Sequence, residues 1–174
     1  MSKIVVITDT SVLINFLVLD QTGLLARLPN HRFVVTDHVR AEVTDHFPDQ
    51  LQRLESAFAA GIFEEIRVTD LQEVQLFTQF TAAGLGVGEC SAIAVAAHRK
   101  LALAIDDKRA VKKLKSAGLN LTILSTESIV VLLIRYSVLT VAEGEAMKQD
   151  WEQNHRFRLA FDSFAERLSN ADLP

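Results

Sequence analysis

Short apolar runs alternate along this chain with longer segments whose apolar residues recur at helical spacing. Apolar, often β-branched runs of this length are typical of strands buried in a parallel sheet. They predict strands at residues 4–7, 32–35, 63–68, 101–105 and 121–124. Strands that alternate with helices indicate an α/β fold in which helices cover both faces of the sheet. The predicted architecture is therefore a three-layer α/β/α sandwich with a central parallel sheet.

Helices fill the intervals between the strands, and capping or stop residues mark most of their ends. The predicted helices span residues 11–28, 37–47, 51–60, 70–83, 89–100, 108–117 and 127–139. From residue 141 the pattern is helical and charged, with one apolar face formed by Phe157, Phe161, Phe164 and Leu168. We divide the chain into a domain at residues 1–140 and a C-terminal helical extension at 141–174, packed on the domain or on a partner.

Composition narrows the class of protein. The 174 residues suit one domain, and the single cysteine, Cys90, excludes an internal disulfide. The N-terminus lacks the pattern of a signal peptide, and no apolar run approaches the roughly 18 residues of a membrane span. We therefore expect a cytoplasmic protein that makes no contact with a membrane. The net charge of −4 argues against bulk attraction to nucleic acid, but it leaves room for a local basic face.

Acidic residues stand where a sheet of this kind binds ligands. Asp9 directly follows the first strand, and Asp106 and Asp107 follow the fourth. Glu42 lies within the second helix, and Glu89 opens a helix after the glycine cluster GLGVG. The carboxyl ends of parallel strands meet at one edge of an α/β sheet, and such folds bind their ligands there. The sequence therefore predicts an acidic site at this edge.

Each acid also has a structural alternative. Asp9, Asp106 and Asp107 could cap the helices that follow them. Glu42 could be an ordinary surface residue, and Glu89 could complement the dipole of its helix. Several carboxylates at one edge are harder to explain in this way, because two like charges about 4 Å apart repel by about 4 kcal/mol at an effective dielectric near 20. Such a cluster needs raised pKa values or a hard divalent cation, and Mg²⁺ and Mn²⁺ both prefer oxygen ligands.

Four segments carry a resemblance to a known family. In this order along residues 4–136, they are DTSVLINFL, VRAEV, GLGVGECSAIAVA and LALAIDDKRA. They resemble the acidic motifs of the PIN-domain family of metal-dependent nucleases, and they are most similar to its prokaryotic branch with GxGE and IDD motifs, relatives of the VapC-type toxins. The resemblance implies that Asp9, Glu42, Glu89 and Asp107 bind the metal and are catalytic, and that Ser11 supports Asp9.

The third and fourth motifs depart from the pattern of the toxins. Glu89 stands where the toxins commonly have Asp, and Ile105 stands where they often have Thr or Ser. Asp106 aligns where many of them carry Asn, and it is an additional candidate metal ligand. These differences concern substrate preference and toxin activity more than the metal site.

The resemblance implies a Mg²⁺- or Mn²⁺-dependent ribonuclease that hydrolyses RNA phosphodiester bonds and could be the toxin of a toxin-antitoxin pair. Its partners would then be RNA, an antitoxin protein and a second copy of the chain. One alternative is a catalytically weak PIN-like module that binds RNA or a protein. A haloacid-dehalogenase-like phosphatase is disfavoured, because the segment DTS lacks a second aspartate two residues after Asp9.

Basic residues follow the fourth acid along a predicted helix. Lys108, Arg109 and Lys112 are candidates for contacts with RNA phosphates, and Arg40, near Glu42, is another. The alternatives are a solvated helix face for the first three residues and a surface ion pair for Arg40. No aromatic residues alternate with these basic residues, so the sequence does not indicate sequence-specific stacking on single-stranded RNA.

Overall fold

The computed structural model describes residues 2–169 and contains a five-stranded parallel sheet. The strands lie in the order β3-β2-β1-β4-β5, so β1 occupies the centre between β2 and β4. Their bounds are β1 Ile4–Thr8, β2 His31–Thr36, β3 Glu64–Ile66, β4 Ala102–Ala104 and β5 Ile123–Leu124. All five predicted strands are present, which confirms the α/β fold with a central parallel sheet.

Helices connect the strands and continue beyond β5. They are α1 Thr10–Val18, α2 Thr22–Arg27, α3 Asp37–His46, α4 Leu51–Ala59, α5 Leu71–Ala82, α6 Val87–Arg99, α7 Lys108–Ser116, α8 Thr126–Arg135, α9 Val141–Asn154 and α10 Phe164–Ser169, with a short 3₁₀ turn at Pro48–Gln50. The predicted single helix over residues 11–28 is wrong, because Asp20 adopts a left-handed conformation with φ 55° and separates α1 from α2.

Two apolar clusters cover the two faces of the sheet. Alternate residues of a strand point to opposite faces, so Val6 belongs to one cluster and Ile7 to the other. The first cluster includes residues of α1, α8 and α9, while the second includes residues of α5, α6 and α7. The sheet therefore lies between two helical layers, as the sequence predicted.

The C-terminal segment packs on the rest of the domain. Met147 and Trp151 of α9 belong to the first apolar cluster, and Trp151 is fully buried. The prediction that Phe157 and Phe161 share one helical face with later residues is wrong, because α9 ends at Asn154 and the next helix begins at Phe164. The domain boundary at residue 140 stays a prediction. Among the described residues, no helix is long and apolar enough to cross a membrane.

Candidate active site

Asp9 lies at the centre of the carboxyl edge of the sheet. Its backbone N–H donates to Ala104 O at 2.9 Å and extends the pairing of β1 with β4 beyond Thr8. The Asp9 carboxylate accepts hydrogen bonds from Val12 N at 2.9 Å and from Ser11 Oγ at 2.7 Å. Asp9 is therefore the N-cap of α1, as its structural alternative proposed. It lines neither of the cavities described below, but Ser11, which donates to it, lines one of them.

The environment of Asp9 disfavours its charge. The residue is 0% exposed, and burial raises its pKa to about 7, although the hydrogen bonds from Val12 and Ser11 oppose this shift. The negative charges of Asp106 and Glu89 raise the pKa further. Within residues 2–169, the hydrogen-bond partners of the Asp9 carboxylate are neutral. Asp9 is thus a buried carboxylate to which the described part of the protein supplies no cation.

Asp106 extends the site from the end of β4. Its carboxylate accepts hydrogen bonds from Thr126 N at 2.8 Å, from Thr126 Oγ1 at 2.6 Å and from Asn15 Nδ2 at 3.1 Å. Burial raises the pKa of Asp106, and these hydrogen bonds oppose the increase. Asn15 belongs to α1 and Thr126 to α8, so Asp106 is fixed by two helices of the same layer.

Asp107 combines a capping role with a place in the site. Its Oδ1 accepts hydrogen bonds from Arg109 N at 2.7 Å and from Ala110 N at 3.1 Å, so Asp107 is the N-cap of α7. Its charge also raises the pKa of Glu89, which shows that the two carboxylates are close enough to interact. The position of Asp107 is therefore compatible both with a helix cap and with a metal-binding acid.

Glu89 lies in the first turn of α6, after the glycine cluster. Its Oε2 accepts a hydrogen bond from Gly86 N at 3.1 Å. Burial is the largest cause of its raised pKa, and the negative charges of Asp107 and Glu42 add to it, whereas the Gly86 hydrogen bond and Arg109 lower it. Glu89 lines one cavity with Asp107, and it is also near Glu42, because a Cβ atom at Gly86 would lie 3.6 Å from Glu89 Oε2 and 4.0 Å from Glu42 Oε1.

Glu42 reaches the same region from α3. Its Oε2 accepts a hydrogen bond from Thr10 Oγ1 at 2.8 Å. A Cβ atom at Gly88 would lie 2.0 Å from this oxygen and 2.7 Å from Thr10 Oγ1. Only glycine fits at position 88 without moving Glu42. The glycine cluster thus lets the backbone of α6 approach the Glu42 carboxylate closely.

The acids line two neighbouring cavities. One has a volume of about 350 Å³ and is lined by Ser11, Asn15, Glu89, Asp106, Asp107 and Phe157. The other, of about 320 Å³, contains Glu42 and is lined also by His38, Ala41, Asp45, His46 and Val87. We call the first of these the acidic cleft. The structure therefore brings Glu89, Asp106 and Asp107 together in the acidic cleft and places Glu42 in the second cavity.

The donor atoms fit a hard divalent cation, but they are not assembled around one point. Among residues 2–169, no three His, Cys, Asp or Glu side chains are placed to hold a metal ion together. Each acid is instead held by a hydrogen-bond donor of the protein, such as Thr10 for Glu42 and Gly86 for Glu89. Carboxylate oxygens are the ligands that Mg²⁺ and Mn²⁺ prefer. The chemistry of the site fits such an ion, and side-chain rotation would be required to bind it.

The basic candidates differ in their freedom to bind phosphate. Lys108, Arg109 and Lys112 are exposed on α7. Arg40 instead donates to both carboxylate oxygens of Glu55, at 2.6 and 2.8 Å, and to Glu65 at 2.8 Å. The structure supports the ion-pair alternative for Arg40, and its role as a phosphate contact stays a prediction without structural support.

Four residues of the site were missed in the sequence. Thr10 and Thr126 each donate a hydrogen bond to an acid of the site, although threonine at a helix start usually indicates only a cap. Asn15 lies four positions after Ser11, so helical spacing could have placed it on the same face. Phe157 was predicted only as part of an apolar helical face, and its place at the site depends on how the C-terminal segment packs.

Comparison with known proteins identifies the family. A family model described as DUF3368, PIN domain, matches residues 5–171. Similar solved structures are PAE2754 from Pyrobaculum aerophilum, with 14% identity, a TM-score of 0.52 and coverage of 78% of this chain and 91% of that one, and VapBC2 from Rickettsia felis bound to a DNA fragment from its promoter, with 14% identity, a TM-score of 0.48 and coverage of 70% and 98%. No curated protein matches the chain. The match over residues 5–171 shows that the chain belongs to the PIN-domain family.

Proposed function

We propose that this protein is a Mg²⁺- or Mn²⁺-dependent ribonuclease that hydrolyses RNA phosphodiester bonds. The observation that carries the proposal is Asp9, a carboxylate that is 0% exposed and has no cationic hydrogen-bond partner among the described residues. A buried charge without a partner is costly. A divalent cation in the acidic cleft would compensate this charge and those of the neighbouring acids.

The roles of the acids follow from their positions. Asp9, Glu42, Glu89 and Asp107 would hold the metal, with Asp106 as an additional ligand, while Ser11 orients Asp9 through its hydrogen bond of 2.7 Å. A divalent ion held by these acids would supply a water of lowered pKa to attack phosphorus and positive charge for the leaving oxygen. This reaction needs no covalent nucleophile from the protein.

The cysteine supports a mechanism without a thiol nucleophile. Cys90 is 0% exposed, and burial raises the pKa of its thiol. A reactive cysteine usually has a lowered pKa and partial exposure. Cys90 therefore acts as a small core residue of α6.

Exposed cations follow Asp107 along α7 and would position the substrate. Directly after Asp107 come Lys108 and Arg109, and Lys112 follows one turn later on α7. The charge of Arg109 lowers the pKa of Glu89. Contacts from lysine and arginine to phosphates orient a nucleic acid without reading its sequence. We therefore assign α7 to the phosphate backbone of the RNA.

The resemblance to VapC-type toxins leads us to propose further that the chain is the toxin of a toxin-antitoxin pair and forms a homodimer. An antitoxin would be encoded beside it, and co-expression of the neighbouring gene should relieve growth arrest and yield a complex. Growth that is unaffected by the chain alone would contradict the toxin role while leaving the ribonuclease proposal open.

One observation favours a second candidate, a catalytically weak module that binds RNA or a protein. The described acids are not preassembled into a three-ligand metal site. In such a module the acids would serve as a structural cation site, and metal would stabilise the fold without supporting cleavage.

Cleavage assays separate the two candidates. We expect cleavage of a generic RNA with Mn²⁺, no cleavage in EDTA and no cleavage by Asp9→Asn. Asp49→Asn is the matched control, because Asp49 is an exposed acid in the 3₁₀ turn and its loss changes the net charge equally. Metal-dependent stabilisation without cleavage would favour the weak module, and cleavage by Asp9→Asn at the wild-type rate would contradict the proposed site.

A further inference from the structure

An aromatic side chain from the C-terminal segment forms part of the acidic cleft. Phe157 is half-buried and lines the cleft together with Ser11, Glu89, Asp106 and Asp107. Phe161, four residues later, instead packs on Phe164 with ring centroids 4.8 Å apart. The cleft therefore contains one apolar ring beside its carboxylates, and catalysis by carboxylates and metal does not require that ring.

The ring of Phe157 is held in a fixed position relative to the acids. It packs edge to face on Trp151, with centroids 5.6 Å apart and an interplanar angle of 86°, and Phe157 N donates to Trp151 O at 3.2 Å. The indole N–H of Trp151 donates to Asn15 O at 2.7 Å. Asn15 Nδ2 in turn donates to Asp106. A short chain of contacts thus connects Phe157 with an acid of the cleft.

Two exposed arginines flank Phe157 in the sequence. Neither Arg156 nor Arg158 has an ion pair with a residue in the described part of the chain. Arg156 adopts a left-handed conformation with φ 53°, directly after the end of α9. The segment Arg156–Phe157–Arg158 therefore combines an aromatic ring at the cleft with two exposed cations beside it in the sequence, although Arg158 also lines a separate cavity with Leu159 and Asp162.

We propose that Phe157 stacks on a nucleobase of a single-stranded nucleic acid next to the scissile phosphate, and that Arg156 and Arg158 contact the adjacent phosphates. The inference rests on the proposed nuclease function. An aromatic ring can stack on any unpaired base, and neighbouring cations follow the phosphate backbone. In an A-form duplex the bases remain stacked on one another and are not available to the ring. The arrangement therefore favours single-stranded over duplex substrates.

Binding measurements on the full chain test this proposal independently of cleavage. The probe is a short fluorescein-labelled single-stranded RNA, and a duplex of the same sequence is measured for comparison. The binding buffer contains Ca²⁺, a cation that prefers oxygen ligands. The variants are Phe157→Leu, which removes the aromatic face, and Phe157→Trp, which restores it. Phe161→Leu is the matched control, because it makes the same change in the same segment outside the acidic cleft.

We expect Phe157→Leu to weaken single-strand binding about tenfold, to leave duplex binding unchanged and to be rescued by Phe157→Trp. Unchanged single-strand binding by Phe157→Leu would overturn the proposal and assign the ring to packing or to a protein partner. Equal losses for single strand and duplex, or an equal loss in Phe161→Leu, would overturn it as well. Binding without cleavage would leave the stacking role intact while contradicting the nuclease.

Discussion

Two fully buried carboxylates in this protein have opposite electrostatic environments. Glu73 and Asp9 are both 0% exposed. Burial raises the pKa of Glu73, but Arg99, which donates to it at 2.6 and 3.1 Å, and the amides of Thr69 and Asp70 outweigh this effect and leave the pKa lowered. Burial raises the pKa of Asp9 to about 7, and its hydrogen bonds from Ser11 and Val12 do not reverse the shift.

The difference separates a structural acid from a candidate functional one. The same helix, α6, supplies Arg99 to Glu73 in its last turn and Glu89 to the acidic cleft in its first turn. The fold therefore places a cation beside a buried acid where stability requires it, and it places further acids around Asp9 instead. Strongly perturbed acids in a cleft are candidates for function because structural packing gives no reason to leave them uncompensated.

Removal of the cation beside Glu73 is the largest expected effect. Arg99→Met should lower the free energy of unfolding by about 3 kcal/mol, because it leaves a buried carboxylate without its partner. The Arg99 side chain is 35% exposed, which places this value at the lower end of the range for buried pairs. Urea denaturation measures the loss. In the matched control Arg99→Lys, the free energy of unfolding should fall by less. An unchanged stability of Arg99→Met would show that Arg99 does not stabilise the buried carboxylate of Glu73.

Neutralisation of Asp9 should have the opposite sign. Without divalent metal, Asp9→Asn should raise the free energy of unfolding by about 2 kcal/mol at neutral pH. A pKa raised from 3.8 to about 7 costs the folded wild type about 4 kcal/mol there, and the poorer fit of an amide to the hydrogen bonds from Ser11 and Val12 should offset part of this gain. The same variant should lose cleavage. Denaturation in EDTA measures the gain, and the exposed Asp49→Asn control should show none. A less stable Asp9→Asn would mean that the hydrogen bond from Ser11 requires a carboxylate and outweighs the cost of burying its charge.

The dependence of stability on pH sharpens the same contrast. In the metal-free wild type, unfolded Asp9 loses its proton near 3.8 and folded Asp9 near 7, so the free energy of unfolding falls as pH rises between these values. From about pH 6 to pH 7 the fall should be about 1 kcal/mol. Glu73, with its lowered pKa, contributes stability above 4.5 that is lost at lower pH.

Melting temperatures measured from about pH 4 to pH 7 can assign these two pH dependences to Asp9 and Glu73. The difference between Asp9→Asn and the wild type should grow from about pH 4 to pH 7, and the difference between the wild type and Arg99→Met should shrink below about pH 4.5. A constant difference for Asp9→Asn would show that its carboxyl group titrates normally in the folded protein.

The sequence was sufficient for the sheet and for the acids at the strand ends, because both depend on local patterns, whereas Glu42 entered the site only through the family resemblance. An apolar run that ends in an acid identified Asp9 and the acids after β4, and the structure has strands at both places. Interactions between distant segments were not predictable in this way. The contact of Phe157 with the acidic cleft and the ion pairs of Arg40 with Glu55 and Glu65 depend on tertiary packing. The break between α1 and α2 depends on one left-handed residue, Asp20, whose type only weakly favours that conformation.

The smallest expected change in stability concerns the two adjacent acids after β4. Asparagine is as good an N-cap as aspartate, so Asp107→Asn should keep the hydrogen bonds from Arg109 and Ala110 and change stability by less than about 0.5 kcal/mol.

We expect Asp107→Asn to lose cleavage nonetheless, because Asp107 Oδ2 is free of hydrogen bonds within residues 2–169 and can bind metal. Both oxygens of Asp106 already accept hydrogen bonds from Thr126 or Asn15, so Asp106→Asn should place an amide against these donors, melt slightly lower and retain more cleavage. Melting temperature without metal and Mn²⁺-dependent cleavage, measured for both variants, decide between them. Full cleavage by Asp107→Asn together with none by Asp106→Asn would make Asp106 the fourth acid. The four-acid site requires that Asp106 or Asp107 bind the metal. Wild-type cleavage by both variants would therefore exclude this site.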